Sequence, residues 1–324
     1  MFSVTVIIVT YNRPDYVKTC LERLRRQTRL PEQIIVVDGS PDDRTKAVCA
    51  QFPDILYLRN EAGLGHKTRS RNIGLQQATG EIIAFIDDDS FAHPTWLEEL
   101  LKPYNDPAVG AVGGRALRNQ PDEDKQGVNQ IGKLLPNGEL TGNFAANPGR
   151  DVQVDHMIGC NMSFRHSVLE ELGGLREHLQ GITGTREDSD AGLRVGAAGY
   201  KLVYAHRAVV DHLGAPIAKG ERFDLRYIWR HQRNHIILLI SNFGFKPIFW
   251  HYLLHTIFIS AREFVRTLYW SARRLIAGLA GIIAGWCGLF MGLLAAVRLR
   301  HATRRRPSTA TAHPKKKATE NPNV

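Results

Sequence analysis

Glu81-Ile82-Ile83-Ala84-Phe85-Ile86-Asp87-Asp88-Asp89-Ser90 sets five apolar residues directly against three carboxylates. A continuous apolar run of this length reads as a strand buried on both faces, the kind found in parallel sheets. Such a strand delivers its terminal acids to the carboxyl edge of the sheet, where open α/β folds bind ligands. Three adjacent negative charges repel one another unless a cation neutralises them. Side chains alternate along a strand, so Asp87 and Asp89 face one way and Asp88 another. The resulting D-x-D pair of hard oxygens suits Mg²⁺ or Mn²⁺ bridging phosphates. A solvated acidic turn ahead of a helix that starts near His93-Pro94 is the competing reading.

Upstream, strands and helices alternate. Residues 4–9 and 34–37 are β-branched runs suited to buried strands, with a third strand around residues 55–58. Helices are expected from Pro14 to about Gln27, from about Arg44 to Phe52, and from the Gly63-Leu64-Gly65 turn through Arg71 to Ala78. Four strands alternating with three helices argue for a parallel sheet with right-handed crossovers. The polar segments after the first, second and fourth strands then share one edge, so Thr10, Asp38 and Asp87 should converge. No G-x-G-x-x-G comes after the first strand, which weakens a dinucleotide reading.

Downstream, a helix is expected at residues 94–101 and an apolar stretch at 109–112. Residues 118–150 lack periodicity, and a loop of that length suggests a flap over the substrate. Order returns over residues 152–164, with a short helix next at 167–172. A Gly/Thr approach at residues 181–185 leads to Glu187-Asp188-Ser189-Asp190, at the start of a helix whose dipole favours those acids. Two short strands, at 201–204 and 208–210, end in Asp211-His212.

The 324 residues give room for one large α/β domain and an appendage. The net charge is +10, but eight basic residues against one acid lie between Arg298 and Val324. The body is therefore close to neutral, and no nucleic-acid footprint appears outside the tail. Four scattered cysteines with no C-x-x-C pair suit reduced thiols in the cytoplasm. The first apolar run is only strand length and has no basic leader, so no signal peptide is expected.

Six blocks, in this order, carry a family resemblance: Val9-Thr10-Tyr11-Asn12-Arg13, Val36-Val37-Asp38-Gly39-Ser40, Arg71-Asn72-Ile73-Gly74, Phe85-Ile86-Asp87-Asp88-Asp89, Gly159-Cys160-Asn161, and Glu187-Asp188 with the later His212. Over residues 3–214 the chain resembles the family 2 glycosyltransferases of GT-A fold, in particular rhamnosyltransferase-like members. The resemblance implies an α/β nucleotide-diphospho-sugar transferase with a mostly parallel central sheet, and inverting transfer of a sugar from a UDP-, GDP- or dTDP-sugar. Thr10 and Tyr11 match the first nucleotide-contacting segment, and Asp38 matches the acid that holds the base. Arg71 sits where a basic residue is expected near the diphosphate. Asp87 matches the acid near the ribose, Asp89 the metal ligand, and His212 the histidine that helps hold metal and diphosphate. Asp188 matches the general base. The Q-x-x-R-W pattern of processive synthases is absent, Gln232-Arg233-Asn234-His235 being a partial echo, so single-sugar addition is favoured.

These residue types also fit the chemistry directly. Inverting transfer needs a base for the acceptor hydroxyl and an oxocarbenium-like transition state. The leaving diphosphate develops charge that a divalent ion and a cation can absorb. Glu187 is expected to bind an acceptor hydroxyl or cap its helix, Asp190 to be structural, and Cys160 to be a small core residue. Two readings of other classes compete: a catalytically silent nucleotide-sugar-binding membrane scaffold, and a nucleotidyltransferase. The latter usually brings a Gly-rich triphosphate loop after the first strand, which residues 10–14 do not form.

The last third is apolar. Residues 275–297 contain no charge and are long enough to span a bilayer, with Gly278, Gly281, Gly285, Gly288 and Gly292 on one helical face. Residues 236–240 and 248–261 are interrupted by Asn242, Lys246, Pro247, His251 and His255. The expected organisation is a catalytic domain over residues 1–214, a helical membrane-associating region over 215–300, and a basic disordered tail over 301–324. The basic flanks suit monotopic or hairpin association with the cytoplasmic face of a membrane, with two full spans as the alternative, in cell-surface or extracellular polysaccharide synthesis with a glycan or lipid-linked acceptor. A soluble helical subdomain or a homodimer interface would use the same segments.

Overall fold

The computed structural model describes residues 2–179, 186–214, 225–268 and 272–305. The expected Gly/Thr approach at 181–185 and most of the basic tail lie outside the described residues. The first half of the chain alternates as the sequence implies: β1 (Val4–Thr10), α1 (Pro14–Leu24), β2 (Gln33–Asp38), α2 (Arg44–Cys49), β3 (Ile55–Arg59), α3 (Lys67–Leu75) and β4 (Ile82–Asp87). Then come β5 (Ser90–Ala92), α4 (Trp96–Leu101), β6 (Val109–Leu117), β7 (Val152–Gln153), β8 (Asn161–Arg165) and α5 (His166–Glu171). The chain continues with α6 (Glu187–Ala197), β9 (Lys201–His212), α7 (Leu225–Phe243), α8 (Pro247–Leu268) and α9 (Ala272–Arg305).

The strands form one nine-stranded sheet in the order β3-β2-β1-β4-β8-β6-β9-β5, with β7 pairing beside β9. The pairs β1–β2, β1–β4, β2–β3 and β6–β9 are parallel. The β8 strand enters antiparallel between β4 and β6, so the sheet is mixed. Apolar runs without alternation feed both faces. Val6, Ile8, Ala84 and Ile86 join the core under α1 and α4, while Ile7, Val9, Ile83 and Phe85 join the core with α5 and α6. The register Thr10↔Asp38 and Val9↔Asp87 brings the three polar strand ends to one edge.

Three details differ from the sequence reading. The stretch expected as two short strands is the single β9, whose pairing with β6 is irregular between Gly114 and Arg115. A short strand, β5, comes directly after the acidic turn and pairs Ser90 with His212. Residues 118–150 do not form a free flap. The Tyr204 hydroxyl donates to the Phe144 and Ala146 carbonyls at 3.0 and 2.8 Å. The tip is held as well, by His235 Nε2 donating to the Gly138 carbonyl at 2.9 Å.

The C-terminal helices share a third core in which Leu179 and Leu193 meet Ile236–Ile240, Phe249, Tyr252 and Leu289. The α9 glycines form its seam with α7. A Cβ at Gly288 would stand 2.3 Å from the Trp229 carbonyl oxygen, and one at Gly292 2.6 Å from that of Arg233. Small residues are what allow two helix backbones to approach this closely. The opposite face of α9 exposes Ile283, Trp286, Phe290, Leu294 and Val297, and α8 exposes Trp250, Leu254 and Phe258. Among the described residues one helix, Leu279–Leu299, is long and apolar enough to cross a membrane, at a mean hydropathy of 2.0.

The seam is testable by denaturation. Gly288→Ala should cost about 1–3 kcal/mol through overpacking. Gly281→Ala, whose Cβ would meet Ile228 at an ordinary 3.8 Å, should leave stability unchanged or slightly higher.

Candidate active site

At the carboxyl edge of the sheet, Asp87, Asp89 and His212 each present a ligand atom, and all three atoms lie within 4.8 Å of one another. The β5–β9 pairing produces this cluster, because it lays the end of β9 beside the acidic turn. His212 Nε2 stands 3.5 Å from Asp89 Oδ1. The Cys160 sulfur and the Asp89 carboxylate hold the imidazole well above its ordinary pKa, against the effect of burial. Two carboxylates and an imidazole form a donor set that fits a divalent ion.

Asp88 points away from this cluster. Its Oδ2 accepts from Thr10 Oγ1 at 2.7 Å and its Oδ1 from Arg13 at 3.0 Å. Arg13 also reaches Asp89 at 3.6 Å. Burial, reinforced by Asp89 and Asp87 and opposed by Arg13 and Thr10, pushes Asp88 up to about 7. The middle acid thus ties the end of β1 to the acidic turn. Thr10, expected to meet the nucleotide, spends its hydroxyl on that tie.

Asp38 is fully buried. Its Oδ1 accepts from the backbone N–H of Ser40 at 2.8 Å and from the Ser40 hydroxyl, and its Oδ2 accepts from Tyr57 at 3.0 Å. Burial and this carboxylate together push Tyr57 far up. Asn12, in the left-handed region at φ 58°, donates its N–H to Ser40 Oγ at 2.6 Å. Tyr11 lies partly exposed between these two groups of contacts.

Arg71 is placed differently from the expectation of a cation beside a diphosphate. The side chain is fully buried. Its NH1 donates to Glu187 Oε1 at 2.7 Å, and its NH2 donates to Asp87 Oδ1 at 2.9 Å and to the Gly159 carbonyl at 2.6 Å. Lys67, one turn earlier on α3, is the more open cation. Its Nζ stands 3.1 Å from Glu187 Oε1 with a third of the side chain exposed. Glu187 is buried under these two cations, which removes it from contact with an acceptor hydroxyl. Asp190 is buried against Arg176 and Arg194 and accepts from Asn242, a structural placement.

Asp188 occupies the first turn of α6. Its Oδ2 accepts from the Gly159 N–H at 2.8 Å and its Oδ1 from the Ser189 N–H at 2.7 Å. Burial and the neighbouring Glu187 raise it above the usual carboxylate range, while Lys67 and Arg71 pull the other way. A Cβ at Gly159 would sit 3.1 Å from both Arg71 and Asp188, so glycine suits this close approach. Asn161 holds its segment in place by accepting from Trp96 at 2.8 Å and donating to the Arg115 and Ala208 carbonyls. His206, six residues before His212 on β9, pairs with Asp151 at 2.8 Å.

The structure thus brings Thr10, Asp87, Asp89 and His212 together, links Asp188 to them through Arg71 and Gly159, and sets Asp38 beside Tyr57. Sequence reasoning leaves Arg13 unassigned within its motif and misses Lys67 altogether. The signal for Lys67 is its position four residues before Arg71, on the same helical face.

The sequence pattern of glycosyl transferase family 2 matches residues 5–173. The chain belongs to that family, and it is a glycosyltransferase of GT-A fold. The O-antigen chain rhamnosyltransferase WbaN of Salmonella anatum is 28% identical over 216 residues, covering 65% of this chain and 66% of that protein. The glucosyl-dolichyl phosphate glucuronosyltransferase of Haloferax volcanii is 32% identical over 181 residues, covering 53% and 55%. The chain thus spans between about half and two thirds of the length of these relatives. The mannosyltransferase PcManGT of Pyrobaculum calidifontis, solved with GDP-Man and Mn²⁺, superposes with a TM-score of 0.57 at 20% identity, over 94% of this chain and 88% of that one.

Arg71→Met should lower unfolding free energy by about 3–5 kcal/mol in denaturant titration, since it leaves buried carboxylates without their partner. Arg71→Lys should recover only part of that, because an ammonium lacks the fork that reaches three acceptors at once.

Proposed function

We propose that this glycosyltransferase moves a single sugar, with inversion, from a nucleoside-diphosphate sugar to a lipid-linked glycan acceptor at the cytoplasmic face of a membrane. The observation that carries the reading is the Arg71 network, which joins a cluster suited to a cation to the Asp188 carboxylate through Gly159. Residues 1–214 form the catalytic part in this proposal, and residues 215–300 the membrane-associating part.

Asp188 accepts the acceptor hydroxyl's proton as that oxygen attacks the anomeric carbon. The bond from the anomeric carbon to the diphosphate breaks, and its electron pair leaves with the diphosphate. Asp87, Asp89 and His212 would hold a Mg²⁺ or Mn²⁺ ion, which supplies charge neutralisation for the leaving group. Lys67 adds a second positive charge on that side. Asp38, pre-oriented by Ser40 and Tyr57, and the partly exposed Tyr11 receive the nucleoside. The name of the Salmonella relative supports a polysaccharide acceptor, and that of the Haloferax relative supports a lipid-phosphate carrier.

The apolar stripes of α8 and α9 support association with lipid. One face of α9 is seated on α7, which leaves the other to lie in the interfacial plane rather than cross it. The basic residues from Arg298 onward favour an anionic, cytoplasmic leaflet.

Asp188→Asn should lower the transfer rate by about 10²–10⁴-fold while donor binding stays within threefold. Transfer retained by that variant would remove Asp188 as the base. The acid limb of kcat/KM should fall at a pKa above that of a free carboxylate, because the native base is held upward and protonates sooner as pH drops. For the membrane reading, the full chain should co-sediment with phosphatidylglycerol vesicles, and Phe290→Glu with Leu294→Glu should release it. Unchanged sedimentation of the double variant would refute the α9 stripe as the contact.

A further inference from the structure

A second polar cluster lies between α6 and the C-terminal helices, and the transfer chemistry leaves it unused. Arg186 precedes α6 in the left-handed region, at φ 63° and ψ 9°, a conformation uncommon for a residue with a side chain and often found at functional sites. Its NH2 donates to His231 Nε2 at 2.6 Å. His231 stacks on His235 at 6.4 Å, and His235 packs against Tyr252 at 4.4 Å. The Tyr252 hydroxyl donates to Gln232 Oε1 at 3.0 Å.

The cluster has more donors than acceptors. The Arg186 Nε and the Gln232 Nε2 are buried without a hydrogen-bond partner among the described residues. Among those residues, too, no carboxylate stands within 4.0 Å of the Arg186 guanidinium. Its ring partner is a neutral imidazole, since burial and then the guanidinium itself push His231 down to about 3. The same two effects lower His156 to about 4 and take His235 well below its ordinary value. A largely buried guanidinium whose hydrogen-bond partner among the described residues is neutral is costly unless an anion meets it. Asp188, two residues on, is the acid that acts on Arg186 at longer range, and both its oxygens are already engaged by backbone N–H groups.

We propose that this cluster binds a phosphate of the acceptor's lipid carrier, with the Arg186 guanidinium supplying charge and the Gln232 amide a second donor. The proposal rests on the reading of the chain as a transferase for lipid-linked acceptors, and it names the group by which such an acceptor is held. Its placement matches the order a carrier lipid requires: base at Asp188, anion site at Arg186, then helices whose outer faces are apolar. Arg186 is a binding residue here and takes no part in the proton transfer.

Farnesyl diphosphate serves as the probe, titrated into the full chain with EDTA and without donor, binding being read by tryptophan fluorescence. Arg186→Met should weaken it at least tenfold and His231→Leu at least threefold, while Asp89→Ala leaves it unchanged. Farnesol, which lacks the phosphates, should bind wild type and Arg186→Met alike. Equal binding of farnesyl diphosphate by wild type and Arg186→Met would overturn the proposal. Loss of binding in Asp89→Ala would also overturn it, because the probe would then sit in the donor site. Competition by inorganic pyrophosphate as strong as by farnesyl diphosphate would make this a site for free phosphate, against the carrier reading. Where Arg186→Met does not fold, as judged by circular dichroism, His231→Leu gives the same decision. Because the assay needs neither metal nor turnover, its failure leaves sugar transfer standing. Failure to release nucleotide from any donor sugar would count against the transferase reading alone.

Discussion

One buried guanidinium holds the two halves of the active site together. Arg71 bonds at once to Asp87 on the acidic turn, to Glu187 beside the proposed base, and to the Gly159 carbonyl, whose own N–H is the donor to Asp188. The fully buried Glu187 and the partly buried Asp87 would repel each other and lose solvation at a cost without it. With it, the acidic turn of β4 and the first turn of α6 keep a fixed separation, although a hundred residues divide them. Lys67 completes the charge balance from the solvent side.

The division of work among neighbouring acids depends on which ones have partners. Asp88 is held by Thr10 and Arg13 and acts as a tie between loops. Asp87, the last residue of β4, and Asp89, in the turn after it, meet His212. Glu187 is absorbed by two cations, while its neighbour Asp188 accepts from the backbone N–H groups of Gly159 and Ser189 and from the Ser189 hydroxyl, with no cation bonded to it among the described residues.

Much of this is legible in the chain. Residues 4–9, 34–37 and 82–86 read as doubly buried strands because nothing polar interrupts them, and their polar ends have to share an edge. The antiparallel entry of β8 leaves no local trace, since pairing partners are set by distant residues. The same holds for β5, three residues long and defined by its contact with β9. Residues 118–150 read as a flap because their anchors are backbone carbonyls gripped by Tyr204 and His235, contacts with no periodic signature. Arg71 stands out as an important cation, but sequence shows charge and not depth, so its role as a strut is hidden there. The glycine repeat in α9 is visible, and its partner becomes plain only with α7 in place.

That glycine seam has a mechanical consequence. Helix α7 presses the carbonyls of Trp229 and Arg233 onto α9 and, between them, sends His231 toward Arg186 and the start of α6. A close-packed backbone seam cannot stretch or slide by small amounts. In the proposed membrane-bound arrangement, the seam fixes the height of Asp188 above the bilayer. On that proposal the seam is a fixed-length caliper, which sets how far from the membrane plane an acceptor must reach.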